Sequence, residues 1–431
     1  MKSVIPLTVL TVTLAVTAFA GPEAPTGFDN RSNGVVDEAT HQADLAKFDE
    51  VEQVANGLGP LYNAQSCREC HQNPVSGGAS QVSELRVGHT GRDGRFQNPA
   101  IPIAHGKVVI TGRSLVNDRA SCANGAFPVT EIQERVPDTE NVRTARMSPS
   151  ILGDGFVEAV ADQSLVEIAQ QQCKSSHGRI CGQWLLVPIV EAPGQMGVGR
   201  FGWKDQQASV LSFVSNAYLN EIGITNPLQP DEITTLCNTA PEPNDSRGPD
   251  GLFDIDRVTR FVRATKAPSP DPQPTPPVKR GSALFDKVGC ATCHVRSLIT
   301  AAPGTRINGG TFVVPQALGS VTFHPYSDFL LHDVGTGDGI VQAGPEEYGR
   351  AVFQTMSGYL SKQRIDLTQN KIRTAPLWGV RLKPRLMHDG ASLTLRDAIL
   401  RHQGEALDEA KGFSRLSAQD QEALIEFLRS L

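Results

Sequence analysis

The stretch "AQSCRECHQNPVSGG" (residues 64–78) sets Cys67, Cys70 and His71 in the order C-x-x-C-H, and "VGCATCH" (288–294) repeats that order with Cys290, Cys293 and His294. At a helical start, cysteines three positions apart put both sulfurs on one side, where they can meet the two vinyl groups of a haem. The adjacent histidine then lies under the iron and supplies its proximal nitrogen. A zinc site needs four ligands, and no further C-x-x-C or H-x-x-x-H lies near either motif. A thioredoxin-like pair should sit in a βαβ pattern, which is absent here. The two motifs, each in its own domain-sized segment, predict two covalently bound haem c groups.

The remaining composition is that of an ordinary globular protein. The chain has 431 residues, 39% hydrophobic and 20% charged, with a net charge of −6. No basic excess points to nucleic acid, and no block of like charge suggests a binding tail. Residues 1–20, "MKSVIPLTVLTVTLAVTAFA", combine a basic start, an apolar run and a small-residue end. They read as a secretory signal peptide rather than a membrane anchor, which needs about 20 apolar residues. No later run is long enough to span a bilayer, so the mature chain is expected in the periplasm, an oxidising compartment. There the four cysteines outside the motifs, Cys122, Cys173, Cys181 and Cys237, suggest two disulfides. Cys173 and Cys181 flank a short turn-bearing loop, which would leave Cys122 with Cys237, but sequence alone leaves the pairing open.

Six prolines fall within "KAPSPDPQPTPPVKR" (266–280). Such a stretch reads as an extended linker or strap. It divides the mature chain into an N-terminal haem unit (21–265), a Pro-rich linker (266–279) and a C-terminal cytochrome c unit (280–431). The expected fold class is mainly α, with two cytochrome c-type haem domains in tandem and irregular or β-rich insertions in the N-terminal half. Ala283, Leu284 and Val288 fall at helical spacing before Cys290. Ser417 and Asp420 form a helix-start signal, and Leu424, Phe427, Leu428 and Leu431 recur at i, i+3, i+4, i+7. Residues 300–345 read as an irregular or β-containing insertion. In the first unit, 106–115 and 183–190 read as strands, and "DQSLVEIAQQQC" and "QASVLSFVSNAYLNEI" read as helices.

Each iron has a sixth position. Leu395, Ala398, Ile399 and His402 share one helical face, which puts His402 where a haem would lie. A lone histidine on such a face is usually a core residue, but a buried iron needs a ligand, and His402 is taken as that ligand. Histidine in place of methionine lowers the potential. For the first haem the candidates are His89, between Gly88 and Gly91 on a loop that could release it, and His105.

The blocks "GLGPLYNAQSCRECHQNPVSGG", "SPSILGDGFVEAV", "GVGRFGWKDQ", "NEIGITNPLQP", "DFLLHDVG" and "RTAPLWGVRLKPRLMHDGASLTLRDAILRHQGEA" resemble the bacterial di-haem cytochrome c peroxidase superfamily. Within it, the chain is most similar to the di-haem oxidoreductase, thiol-oxidoreductase-like branch, across nearly its whole mature length. The resemblance implies an active site at the N-terminal haem and electron entry at the C-terminal one. By position it implies His71 and His294 as proximal ligands, His402 in place of a distal methionine, His89 near the displaceable histidine, and Glu158 as acid/base. "RLKPRLM" departs from the family's calcium-binding turn by adding Lys383 and Arg385, so calcium is not expected.

The leading expectation is a haem-dependent, peroxidase-like oxidoreductase. It would draw electrons from a small periplasmic carrier, a cytochrome c or cupredoxin, and reduce peroxide or a similar oxidant. Trp203 and Trp378 are candidate relays between the haems. The alternatives are an electron-transfer cytochrome with both irons closed, or a di-haem oxidase acting on a protein or polymer.

Overall fold

Gly289 ends the helix that delivers the second motif. It adopts φ 103°, and its N–H closes on the carbonyls of Asp286 and Phe285, so the chain turns away immediately before Cys290. That helix, Pro276–Val288, opens with Thr275 capping the Val278 N–H. Pro276 and Pro277 fill first-turn positions whose N–H would have no partner anyway. In this computed structural model, which describes residues 21–238, 242–271, 273–363 and 365–431, the helix therefore begins inside the stretch expected to be linker. The expected signal peptide, 1–20, lies outside the described residues.

The same helix crosses the C-terminal helix Ala418–Arg429 at Gly281, where a Cβ would lie 1.9 Å from the Ala423 carbonyl oxygen. Only glycine permits that approach. The buried face carries Gly281, Leu284 and Phe285, while Ala283 is exposed, so the face is turned slightly from the one expected. Phe285 meets Phe427 edge-on, with ring centroids 5.3 Å apart. In the C-terminal helix, Ser417 accepts from the Asp420 N–H, and Leu424, Phe427, Leu428 and Leu431 are all buried.

The frame of the first motif is helical too. Helices Glu38–Asp49 and Asp254–Ala264 pack through Phe48 and Phe261, 4.7 Å apart, and helix Val210–Ala217 lies against the second of them. Helix Asp162–Ser175 forms where expected. The largest sheet is an antiparallel triplet, Phe96–Gln97, Ser83–Thr90 and Val142–Met147, with Glu84 opposite Arg146 and Arg86 opposite Thr144. Of the two expected strands, only Val108–Ile110 and Leu186–Pro188 form, each paired in a short ladder. Within 300–345 the ladders are two residues long. The fold is mainly helical, with many small strands. Cys122 pairs with Cys237 and Cys173 with Cys181.

The proline-rich stretch is a docked strap. Ala267 donates to Pro25 O, Asp271 donates to Ser430 O, and Arg381 donates to Ser269 O. The largest apolar cluster draws Phe156, Phe201 and Phe261 together with Phe323, Phe329 and Trp378. The chain on either side of the strap thus shares one core.

Candidate functional site

Both motifs close with the same turn. The His71 N–H donates to Cys67 O at 3.0 Å, and the His294 N–H donates to Cys290 O at 3.0 Å. Ser66 starts the first turn by accepting from the Glu69 N–H. The four motif thiols are unpaired, whereas the other four cysteines form disulfides. Burial pushes Cys67, Cys70 and Cys290 up to about 12 and raises Cys293 as well. Redox-active or metal-binding cysteines need the opposite, a stabilised thiolate. Half-buried thiols outside any disulfide, each pair followed by a histidine, fit thioether attachment of a haem.

Cys290, Cys293 and His294 line a cavity of about 1630 Å³, counted to its open mouth. Across it stand Leu395, Ala398, Ile399 and His402. The helix Leu395–Leu400 ends before His402, yet the side chain still faces the cavity. His402 Nδ1 is 2.8 Å from Ala398 O, and His294 Nδ1 is 3.0 Å from Tyr326 O. A carbonyl at Nδ1 fixes the proton there and leaves Nε2 with its lone pair. Burial lowers His402, and burial followed by the nearby His402 brings His294 down to about 4, so both imidazoles are neutral near pH 7. His294 and His402 in one cavity suit a six-coordinate haem iron; His388, which burial also brings down to about 4, lines the same cavity beside Trp203.

Cys67, Cys70 and His71 line a second cavity of about 1130 Å³. Burial brings His71 down to about 4. Among the described residues, no second histidine lines this cavity. Its polar lining includes Glu84, Arg86, Arg146, Asp154 and Glu221. Arg86 Nε donates to Glu84 Oε1 at 2.6 Å, and its Nη1 donates to Glu346 Oε1 at 2.9 Å. Burial alone would raise Glu84, but the charge and hydrogen bond of Arg86 outweigh it and hold this carboxyl below its usual range. Glu221 shares a hydrogen bond with Glu84. Burial, and then the Glu84 charge, push it up to about 8. Asn63 Nδ2 donates to Glu221 Oε2 at 3.0 Å. Glu84 is thus the ionised and Glu221 the protonated member of this pair, and burial pushes Asp154, on the same cavity, up to about 7.

Two expected site residues lie elsewhere. On strand Ser83–Thr90, side chains alternate between faces. Glu84 and Arg86 point to the cavity, and His89, at odd spacing from both, does not line it. Its Nδ1 is 2.8 Å from Glu140 Oε2, and its Nε2 is 3.2 Å from Gln97 Oε1. His105 is exposed and pairs with Glu131. Glu158 lines neither cavity. Its carboxylate accepts from Arg263 Nε at 2.6 Å, Arg263 Nη2 at 2.9 Å, Val210 N at 2.8 Å and Asn308 Nδ2 at 2.8 Å. A carboxylate so fully engaged is a structural clasp. The carboxyls that line the N-terminal cavity are instead Glu84, Glu221 and Asp154, and the only sequence signal for the first is the strand-period Glu84-x-Arg86.

Met147, Ser148, Pro149 and Trp203 line both cavities and form the wall between them. Trp203 Nε1 donates to Met147 O at 2.7 Å. Trp378 is a core residue packed on Phe323. His332, missed in the sequence, lines the C-terminal cavity between Asp328 Oδ2 at 3.0 Å and Glu405 Oε2 at 2.9 Å, and these acids raise it well above the usual histidine value against the effect of burial. It groups with Cys293 and Asp328, but with both ring nitrogens engaged it has no lone pair for a metal. Among the described residues, no helix is long and apolar enough to cross a membrane.

Comparison with known proteins agrees with this geometry. Residues 126–431 match the family described as "Di-haem oxidoreductase, putative peroxidase". No curated protein matches the chain. Among solved structures, the chain is similar to the diheme peroxidase BthA from Burkholderia thailandensis E264. The identity is 14%, 96% of this chain and 92% of that one are covered, and the TM-score is 0.34. It is also similar to hydrazine synthase from Kuenenia stuttgartiensis (22% identity, 42% and 59% covered, TM-score 0.25). A third likeness is to a MauG-like protein associated with microbial copper homeostasis (20% identity, 41% and 52% covered, TM-score 0.24). The chain thus spans 59% and 52% of the length of those last two. The match over residues 126–431 makes this chain a member of the di-haem oxidoreductase family.

Proposed function

We propose that the chain is an exported di-haem c oxidoreductase that takes electrons in at the C-terminal haem and reduces peroxide, or a similar small oxidant, in the N-terminal cavity. Cys67 and Cys70 would hold one haem by thioethers above His71, and Cys290 and Cys293 the other above His294. When bound, haem iron supplies electron transfer and oxidant binding. The observation that carries this reading is the difference between the cavities. His402 stands opposite His294, whereas the cavity of His71 has a wall of acids and arginines and, among the described residues, no second imidazole.

The residues divide the remaining work. Reducing peroxide to water consumes two protons along with two electrons. Glu221, neutral at pH 7, has a proton to give, and Glu84, kept ionised by Arg86, can receive and pass one on. Trp203, which lines both cavities, would carry electrons from one to the other. A small periplasmic cytochrome c or cupredoxin would supply them.

Visible and EPR spectra of the haem-loaded protein, as isolated and half-reduced, test the reading. One low-spin bis-histidine haem and one open, high-spin haem that responds to peroxide are expected. Two closed haems in both states, indifferent to peroxide, would make the protein an electron carrier. Denatured chain at its bare polypeptide mass would remove the covalent haems altogether.

A further inference from the structure

Lys204, the residue after Trp203, runs into the interior, with its side chain 1% exposed. Its Nζ donates to Thr368 O at 3.0 Å, Gln369 O at 3.1 Å and Lys371 O at 2.7 Å, and it pairs with Asp338 Oδ1 at 3.0 Å. Three carbonyls and one carboxylate are the all-oxygen donor set that hard cations take. An ammonium has only three N–H groups, so four oxygens around it are held partly by undirected charge, as around a metal ion.

The cage touches both cavities. Asp338 Oδ2 also accepts from Arg146 Nε at 2.7 Å, and Arg146 lines the N-terminal cavity. On the other side the caged segment runs into Ile372, Arg373 and Thr374, which line the C-terminal cavity. The Arg373 N–H donates to Trp203 O at 2.9 Å. Trp203 is thereby fixed at its indole by Met147, at its carbonyl by Arg373, and through the next residue by the cage. An uncompensated buried ammonium would be costly, and the four oxygens offset that cost.

We propose that Lys204 is a built-in cation, a positioning residue that locks Trp203 and the 368–374 segment between the two cavities in the place a bound metal ion would otherwise take. The part concerning Trp203 rests on the di-haem reading above, whereas the cage stands without it. Burial lowers the Lys204 ammonium to about 8 against the pull of Asp338, with Arg146 adding to the lowering, so it stays mostly charged at pH 7.

The test uses the full, haem-loaded chain. Lys204→Ala empties the cage. It should lower Tm by about 5 °C or more and change the half-reduced visible spectrum. Millimolar ammonium, Na⁺ or Ca²⁺ should then raise Tm in this variant and not in the wild type. Lys204→Arg, which keeps the charge, should retain the wild-type spectrum. If the alanine variant does not fold, the wild type still decides the matter: a chelator should leave its Tm and half-reduced spectrum unchanged. A wild-type Tm that drops with chelator overturns the proposal. So does a folded Lys204→Ala protein with an unaltered spectrum, or one that no cation stabilises. Soret absorbance per chain, read on the same samples, separates this failure from failure of the di-haem reading.

Discussion

At His294 the motif faces a second neutral histidine in a largely apolar cavity, while at His71 it faces Glu84, Arg86 and Glu221. The five-residue device is the same in both places, down to the 3.0 Å hydrogen bond from the histidine N–H to the first cysteine carbonyl. What differs is the element brought up opposite. The C-terminal half brings the end of a short helix, whose last turn holds His402 by its Nδ1. The N-terminal half brings a strand, whose alternation aims an acid and an arginine inward and turns His89 away. One motif thus stands in two different cavities, and on the proposed function the opposing wall would decide whether an iron is closed or open to an oxidant.

The largest effect expected is from His402→Ala. It removes the residue that makes the cavities unlike, so the low-spin haem signal should vanish and be replaced by a second high-spin one. An unchanged EPR spectrum would show that another group closes that site.

Next comes Glu221→Gln, which keeps the shape and removes the ionisable proton. Loss of a general acid is worth about 100-fold or more in rate. Steady-state peroxide turnover should fall by about that factor while the spectrum of the His294 haem stays as it was. Equal damage to both haems would instead mark Glu221 as structural.

The pH dependence is smaller and has a definite sign. Glu221 is raised to about 8 in the folded chain, while an unfolded glutamate titrates near 4.3. Between those values the native state holds the extra proton, so its contribution to stability is full below about 4.3 and is lost as pH rises through about 8. Turnover that depends on the protonated acid should drop over the same upper limb, by about 10-fold per pH unit above 8. A rate that is flat from pH 7 to 9 would count against the acid role.

The smallest effect should come from His89→Ala. Its ring is held by Glu140 and Gln97 outside the cavity, so the EPR spectrum and peroxide rate should stay within about two-fold of wild type, as for a substitution away from the site. A new high-spin signal would return His89 to the iron.

Helix starts and stops, the buried face of the C-terminal helix and the two disulfide partners lie close to what local signals indicate. They follow from caps, periodicity and cysteine parity, which act over a few residues or few alternatives. His402 was legible for the same reason, since its spacing from Leu395, Ala398 and Ile399 is local. Glu84 and Glu221 were not. They lie 137 positions apart (221 − 84), and each looks like an ordinary surface acid until the strand and the π-helical turn Tyr218–Ile222 bring them together. Glu158 misled in the other direction, because a carboxylate in a motif-like block gives no hint that Arg263 and Asn308 will engage it.

The sequence by itself determined the two haem-sized anchors, because C-x-x-C-H places its three groups within one turn of backbone. Local spacing also pointed to His402 for the second of them, but tertiary structure alone decided that the first faces a proton-holding wall and that Trp203 and the caged Lys204 stand between them. Those outcomes depend on which distant elements meet, and on burial shifting the protonation of groups whose solution chemistry is otherwise ordinary.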